Sequence, residues 1–270
     1  MQTYNELPIG IFDSGVGGLT VAKEIITNLP SEKLIYFGDT ARVPYGNKSP
    51  ETIIRYSRQI ASFLVSQKVK AIVIACNTAS AMALPAVQEA VDVPVIGVVR
   101  PGTDAAIKAT KNHRIGVIGT EGTVKSGLYA TYIKEKDPAA EVFGMPCPLF
   151  VSLVEEGMID DPVTIMMIHR YLDDMVRSND IDTLILGCTH YPLLQEVIRR
   201  EIGGGIRLVN PAYETACSLK RLLAENDLAS SAQPDPSAHR FYVSDAAEKF
   251  RHFAEDILSL NIYSAELKVL

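Results

Sequence analysis

Short apolar, β-branched runs alternate along the chain with longer segments in which apolar residues recur at helical spacing. This alternation is typical of βαβ units and predicts an α/β fold with mostly parallel sheets flanked by helices. The predicted strands are residues 9–12, 34–37, 71–75, 95–99, 115–118, 142–145, 184–187, 206–209 and 241–244.

The most regular helical pattern begins at Ser49, a favourable N-cap that Pro50 follows at the first helical position. Ile53, Ile60 and Leu64 recur on one face of this segment, and polar residues occupy the other. The pattern predicts an amphipathic helix whose apolar face packs on a sheet.

Two stretches of the chain follow one plan. Residues 70–78 form an apolar run that ends in Cys76, Asn77 and Thr78, and residues 182–190 form one that ends in Cys188, Thr189 and His190. The apolar run that starts at residue 9 likewise resembles the run that starts at residue 115. The cysteine-ended run and this run therefore both recur after a similar number of residues. This recurrence predicts two similar α/β halves, although short apolar runs in any α/β protein look alike.

Composition narrows the class of partner. The chain has 270 residues, 47% of them hydrophobic, which suffices for one or two domains with a sizeable core. Its formal net charge is −6 and no Lys/Arg stripe occurs, so nucleic acid and anionic membranes are not expected as partners. We expect a small-molecule partner instead. The chain shows no signal-peptide pattern and no apolar run near the roughly 18 residues of a membrane span, which predicts a cytoplasmic protein.

The four cysteines are too few and too widely spaced for a disulfide framework, and none forms a Cys-x-x-Cys pair. We expect free thiols and no metal site. Cys147 and Cys217 are interpreted as structural. Cys76 and Cys188 each precede a candidate helix N-terminus, a setting that can lower a thiol pKa, although a cysteine after an apolar strand is often only a small buried side chain.

Polar residues follow several predicted strands, at the ends where open α/β sheets bind ligands. These residues are Asp13, Ser14, Asp39, Thr40, Cys76, Asn77, Thr78, Thr120, Cys188, Thr189 and His190. Asp13 opens a glycine-rich turn that could hold an anion but lacks the dinucleotide and P-loop patterns, and this aspartate could equally be a helix cap. His190 could tune the Cys188 thiol, and Asp13 could do the same for Cys76.

Four motifs, at residues 10–18, 37–46, 75–80 and 186–194, resemble those of the glutamate racemases in the aspartate/glutamate racemase superfamily. The resemblance implies interconversion of L- and D-glutamate by two cysteines without a cofactor, with D-glutamate supplied to peptidoglycan synthesis. It also implies a homodimer of chains with two pseudo-twofold-related domains, residues 1–98 plus 207–270 and residues 99–206, with the site at their interface.

The resemblance further assigns roles to residues of this chain. Its implied catalytic residues are Cys76, Cys188, Asp13, His190 and Glu155, with Glu156 as the neighbouring alternative to the last. Its implied substrate contacts are Asp13, Ser14, Pro44, Tyr45, Gly46, Asn77, Thr78, Thr120, Thr189 and His190. The segment after about residue 225 matches no motif, so its role stays open.

This residue set suits inversion at an amino-acid α-carbon. One thiolate can remove the weakly acidic proton on one face while a thiol returns a proton on the other, and the roles exchange in the reverse direction. Two alternatives stay open on the sequence: an aspartate racemase of the same superfamily, and a thiol sensor or binding protein without turnover.

Overall fold

The computed structural model describes residues 4–260, 262 and 264–270. Its strands are β1 Ile9–Asp13, β2 Leu34–Gly38, β3 Ala71–Ile74, β4 Val95–Gly97, β5 Arg114–Gly119, β6 Glu141–Pro146, β7 Thr183–Gly187, β8 Arg207–Val209, β9 Arg240–Val243 and β10 Ala265–Leu267. The predicted strands are confirmed with shifts of one to two residues at their ends, and β10 is an addition that the sequence did not predict.

Helices connect these strands. They are α1 Leu19–Asn28, α2 Pro50–Ser66, α3 Asn77–Gln88, α4 Val99–Ala109, α5 Glu121–Lys125, α6 Leu128–Lys136, α7 Leu149–Glu155, α8 Pro162–Asn179, α9 Gln195–Ile202, α10 Pro211–Glu225 and α11 Ala247–His252. Short 3₁₀ turns occur at Tyr4–Glu6, Tyr45–Asn47, Tyr191–Leu194 and Pro236–Ala238, and a π-helical turn at Phe253–Ile257 follows α11. No helix in the described part of the chain is long and apolar enough to cross a membrane.

The strands form two parallel sheets with the same internal order. One sheet runs β10-β9-β2-β1-β3-β4 and the other β6-β5-β7-β8. In the first sheet β1 lies between β2 and β3, and β4 lies outside β3. In the second sheet β5 lies between β6 and β7, and β8 lies outside β7. β5 therefore corresponds to β1 and β7 to β3, so Cys76 and Cys188 follow equivalent strands, as the recurrence in the sequence predicts.

The predicted domain boundary between residues 206 and 207 conflicts with the sheet topology. Arg207–Val209 forms β8, which pairs in parallel with β7 in the four-stranded sheet. The second half therefore extends at least to Val209. The next helix, α10, packs against α1 and α4, one helix from each half, so the chain passes between the halves here.

Local sequence explains where individual elements begin and end. Ser49 caps α2 by accepting a hydrogen bond from the Thr52 N–H at 3.3 Å, and Ile53, Ile60 and Leu64 are fully buried on its inner face. The run predicted as a strand over residues 95–99 ends earlier, because Val99 begins α4. A short apolar run does not distinguish a buried strand from the buried start of a helix.

Candidate active site

The carboxyl ends of two neighbouring strands in each sheet meet at one place. Asp13 is the last residue of β1, Cys76 follows β3, Thr120 follows β5, and Cys188 follows β7. In parallel α/β sheets this edge is where ligands bind, because loops and helix N-termini converge there.

Side-chain hydrogen bonds join the two halves around this place. The hydroxyls of Thr78 and Thr120 lie 2.9 Å apart, one following each sheet. The Tyr129 hydroxyl donates to Asn77 Oδ1 at 2.7 Å. The Thr20 hydroxyl donates to the backbone carbonyl of Thr189 at 2.8 Å. The halves thus share one polar interface.

A small cavity of about 30 Å³ lies between the two cysteines. Its walls are Ser14, Val43, Pro44, Tyr45, Gly46, Cys76, Asn77, Thr78, Thr120, Val151, Gly187, Cys188, Thr189 and His190. The predicted substrate-contact residues other than Asp13 all line it. Asp13 and Glu155 are not lining residues, but Glu155 contacts the lining residue His190.

Cys76 is the N-cap of α3, where its sulfur accepts from the Ala79 N–H at 3.5 Å. The sequence predicted a lowered thiol pKa at this position, and that prediction is wrong for the state described. Burial and the negative charge of Asp13 raise the pKa of Cys76 to about 12, although the Ala79 N–H and the Ser14 hydroxyl act in the opposite direction. Cys76 is therefore a neutral thiol at pH 7.

Asp13 is fully buried beside the Cys76 side of the site. One of its carboxylate oxygens accepts from the Gly15 N–H at 3.0 Å, within the glycine-rich turn. Burial raises the pKa of Asp13, and the positive charge of His190 and the backbone N–H groups of the turn oppose that rise. The Asp13 carboxylate thus interacts electrostatically both with the Cys76 thiol and with His190 on the opposite side of the site.

Cys188 has a different neighbour. Its sulfur lies 3.8 Å from Nδ1 of His190, two residues further along the chain. Burial alone would lower the pKa of His190, but hydrogen bonds to Cys188 and Glu155, and their negative charges, raise it to about 10. The Cys188 sulfur therefore lies beside a histidine that carries a positive charge near pH 7.

The carboxylate beside His190 is that of Glu155, at the end of α7. Its Oε1 lies 3.2 Å from His190 Nε2, and its Oε2 accepts from Lys249 Nζ at 3.1 Å. The hydrogen bond to His190 is the main cause that lowers the pKa of Glu155, against its partial burial. The neighbouring Glu156 is exposed and caps the end of α7, so the geometry favours Glu155 over Glu156 as the helper carboxylate.

The buried carboxylate of Asp39 fixes the part of the cavity wall that includes Tyr45. Asp39, directly after β2, accepts hydrogen bonds from the Tyr45 hydroxyl, from Arg42 Nε at 2.7 Å and from the Ser244 hydroxyl at 2.9 Å. The bonds to Asp39 fix the segment that carries Pro44 and Tyr45 against the ends of β2 and β9.

Some residues that hydrogen-bond to the site could not be predicted from the sequence. Tyr129 and Ser244 bond to predicted site residues from elements whose local pattern carries no functional signal. Thr123 is hydrogen-bonded to both Thr78 and Thr120, and only its capping distance from Thr120 could have indicated it. Among the described residues, no group of three or more His, Cys, Asp or Glu side chains is arranged to hold a metal ion.

Comparisons with known proteins identify the family of this chain. The family model for Asp/Glu/Hydantoin racemase matches residues 14–217. A glutamate racemase of Geobacter metallireducens is 52% identical over 242 residues, which cover 90% of this chain and 89% of that protein.

Two solved structures are similar over almost the whole chain. A glutamate racemase isoform from Bacillus anthracis superposes with a TM-score of 0.91 at 41% identity, and coverage is 98% of both chains. The glutamate racemase from Francisella tularensis, solved in complex with D-glutamate, gives a TM-score of 0.90 at 42% identity and the same coverage. The chain is therefore a member of the Asp/Glu/hydantoin racemase family and belongs, within it, to the glutamate racemases.

Proposed function

We propose that this protein interconverts L- and D-glutamate by a two-base mechanism in which Cys76 and Cys188 act on opposite faces of the α-carbon. The observation that carries the proposal is the placement of the two thiols. They follow equivalent strands of two sheets and line one cavity, so a substrate between them is exposed to a sulfur on each side. The family membership supports the same reaction.

The unequal surroundings of the thiols define the starting protonation state. Cys188 lies beside the His190 imidazolium, and Cys76 has a raised pKa beside Asp13. We infer that Cys188 begins as the thiolate base and Cys76 as the thiol acid. A general acid and a general base must differ in this way to act in the same turnover.

The proton balance of one turnover follows from this state. The Cys188 thiolate takes the α-proton and becomes a thiol, leaving a carbanion-like α-carbon. The Cys76 thiol then gives its proton to the other face and becomes a thiolate. The turnover ends with the two charges exchanged, which is the state that the reverse reaction requires.

The remaining lining groups suit the charge that builds on the substrate α-carboxylate. The wall supplies neutral donors, and no Lys or Arg side chain is among the lining residues. These donors are the side chains of Ser14, Asn77, Thr78, Thr120 and Thr189. Fixed dipoles in a water-poor site stabilise such charge more strongly than water does. Asp13, Glu155 and His190 serve the substrate ammonium and the protonation of the thiols.

The volume of the cavity bears on substrate entry. A cavity of about 30 Å³ is well below the roughly 300–1,000 Å³ that is usual for small-molecule sites. We infer that the two halves separate to admit glutamate and close to exclude water, which strengthens the electrostatic interactions in the site. The two-domain division itself, corrected so that residues 207–209 belong to the second domain, remains part of this proposal.

Three further expectations are part of the proposal. A homodimer is expected from the family resemblance, and light scattering tests it. A cytoplasmic location and a supply of D-glutamate for peptidoglycan synthesis are consistent with the sequence and the family.

The test is racemisation in D₂O without added cofactor, followed by mass spectrometry of the separated enantiomers. The Cys76 thiol exchanges with solvent before turnover, so the product enantiomer gains deuterium at the α-carbon well before the recovered substrate does. Equal early labelling of both enantiomers would indicate a single base and contradict the two-cysteine mechanism. Aspartate, run in parallel, separates glutamate specificity from an aspartate racemase, and absence of any labelling favours a sensor or binding protein.

A further inference from the structure

The segment after residue 225 matches no motif, yet it contacts the Cys188 side of the site twice. Lys249, on α11, donates to Glu155 at 3.1 Å, across 94 positions of sequence. Phe253, in the π-helical turn, packs against His190 in a T-shaped arrangement with a centroid separation of 6.0 Å. The first contact is polar and the second apolar, and both reach groups that act on one thiol.

Lys249 ends a continuous chain of polar contacts. It bonds to one oxygen of Glu155, whose other oxygen lies 3.2 Å from His190 Nε2. His190 Nδ1 in turn lies 3.8 Å from the Cys188 sulfur. At Cys76 the charged group with the largest effect on the thiol is Asp13, and no such chain of ring and carboxylate occurs there among the described residues. Lys249 and Phe253 therefore contact the groups on the Cys188 side of the site.

Glu155 has room to leave this arrangement. Its side chain is 20% exposed and borders an open surface cavity of about 650 Å³, lined also by Glu156, Leu193, Lys249 and His252. An exposed ion pair contributes little to folding stability, and Lys249 is 53% exposed. The contact matters instead because it holds one carboxylate oxygen, which leaves the other directed at the imidazole.

We propose that Lys249 is a positioning residue that keeps Glu155 on His190 and thereby keeps the Cys188–His190 pair ready for proton transfer. This inference rests on the proposed function. The charged and titratable groups that face His190 are Cys188 from its own loop, Glu155 from α7 and Asp13 from β1. Those around Glu155 are His190, Lys249, Glu156 and His252.

The control variants separate positioning from a simple charge effect. If Lys249 positions Glu155, its loss lets the carboxylate rotate away, which removes the acceptor that favours the imidazolium and makes the Cys188 thiolate harder to form. If Lys249 acts only through its charge, removing that cation also disfavours the thiolate, and removing the cation of Arg251 from the same helix should do so to a similar extent.

The experiment measures alkylation of each cysteine by iodoacetamide as a function of pH, with peptide mass spectrometry to assign the site. For Lys249→Met we expect the alkylation midpoint of Cys188 to move to higher pH, and that of Cys76, measured in the same digest, to stay. Lys249→Arg should restore the Cys188 midpoint. Arg251→Met is the matched control, because it removes a cation from the same helix whose partner is Glu248.

Steady-state kinetics supply a second readout. We expect kcat of Lys249→Met to fall between about 10-fold and 100-fold, as for a displaced catalytic group, with a much smaller change in KM. The fall in kcat/KM must be equal in both directions, because the two enantiomers have equal free energy in water.

Three results would overturn the inference: an unmoved or lowered Cys188 midpoint in Lys249→Met, an equal shift at Cys76, or the same shift in Arg251→Met. The alkylation readout does not depend on turnover. If the wild-type protein fails to racemise glutamate but the Cys188 midpoint still moves as expected, the proposed function fails and the positioning role stands.

Discussion

The sulfur of Cys188 lies 3.8 Å from Nδ1 of His190, and the two side chains leave the same turn after β7. A residue two positions along in a strand-to-helix turn returns to the same side of the sheet, so the local backbone already brings the ring to the thiol. Glu155, on a separate helix, fixes the opposite nitrogen of the ring at 3.2 Å. The pair is therefore held from both ends.

This pair predicts a dependence of stability on pH. The pKa of His190 is raised from its ordinary value of 6.5 to about 10 in the folded state. The stabilisation is therefore fully present below pH 6.5 and is lost as pH rises toward about 10. His190→Asn lacks this term, so the advantage of the wild type over the variant should shrink across that window by on the order of a few kcal/mol.

The measurement is the free energy of unfolding in urea at pH 6, 8 and 10 for both proteins. Groups away from the site titrate equally in the two proteins, so their difference reports His190 together with the groups it interacts with, Cys188, Glu155 and Asp13. Glu155→Gln should flatten the curve in part, because the ring keeps Cys188 but loses the carboxylate charge. Curves for wild type and His190→Asn that remain parallel from pH 6 to pH 10 would contradict the raised pKa.

The two cysteines provide a second prediction. Cys76→Ser and Cys188→Ser should each lower racemisation at least about 100-fold, since each removes one acid or base of the pair. Each variant retains one thiol, so it should exchange the α-proton of one enantiomer with solvent without inverting it. Deuterium uptake into each enantiomer, followed by mass spectrometry, measures this.

The other two cysteines supply the controls. Cys147 is fully buried, with its sulfur directed at the Met145 carbonyl at 3.5 Å, and Cys217 lies on α10 away from the cavity. Cys147→Ala and Cys217→Ser should leave kcat within about 3-fold of wild type, as expected for side chains that do not contact the reacting atoms. Racemisation that survives either Cys76→Ser or Cys188→Ser would refute the assignment of the bases.

The sequence predicts the strand ends well, because apolar runs that stop at small or polar residues mark where parallel strands leave the core. It identifies both Cys76 and Cys188 for this reason. It does not predict the raised pKa of Cys76, because the helix N-terminus is a local feature whereas burial and the nearby Asp13 depend on tertiary packing. It cannot connect Lys249 with Glu155, since nothing in either local pattern refers to the other.

The secondary structure at the edge of a sheet is likewise hard to predict from local sequence. β10 contains the charged residue Glu266 and is partly exposed, so its composition does not distinguish it from a loop. Its strand character comes from pairing with β9, which only the fold provides. An apolar run fits both a strand and the start of a helix, so the sequence does not place the start of α4 at Val99.

The last prediction concerns Gly17, in the turn that follows β1. A Cβ atom at this position would lie 2.4 Å from the Thr189 hydroxyl and 2.5 Å from Nδ1 of His190. Thr20 holds the Thr189 backbone through its carbonyl and Glu155 holds the ring, so the added methyl group can be accommodated only if these contacts are disturbed. Gly17→Ala should therefore displace the imidazole from Cys188 and lower kcat by on the order of 100-fold, with an overpacking cost of about 1–3 kcal/mol in the free energy of unfolding.

Gly204→Ala, where an added Cβ meets nothing within 4 Å, is the matched control and should leave both quantities unchanged. Steady-state kinetics and urea unfolding on the two variants decide the matter: wild-type kcat in Gly17→Ala would show that the His190–Cys188 contact is not needed for turnover.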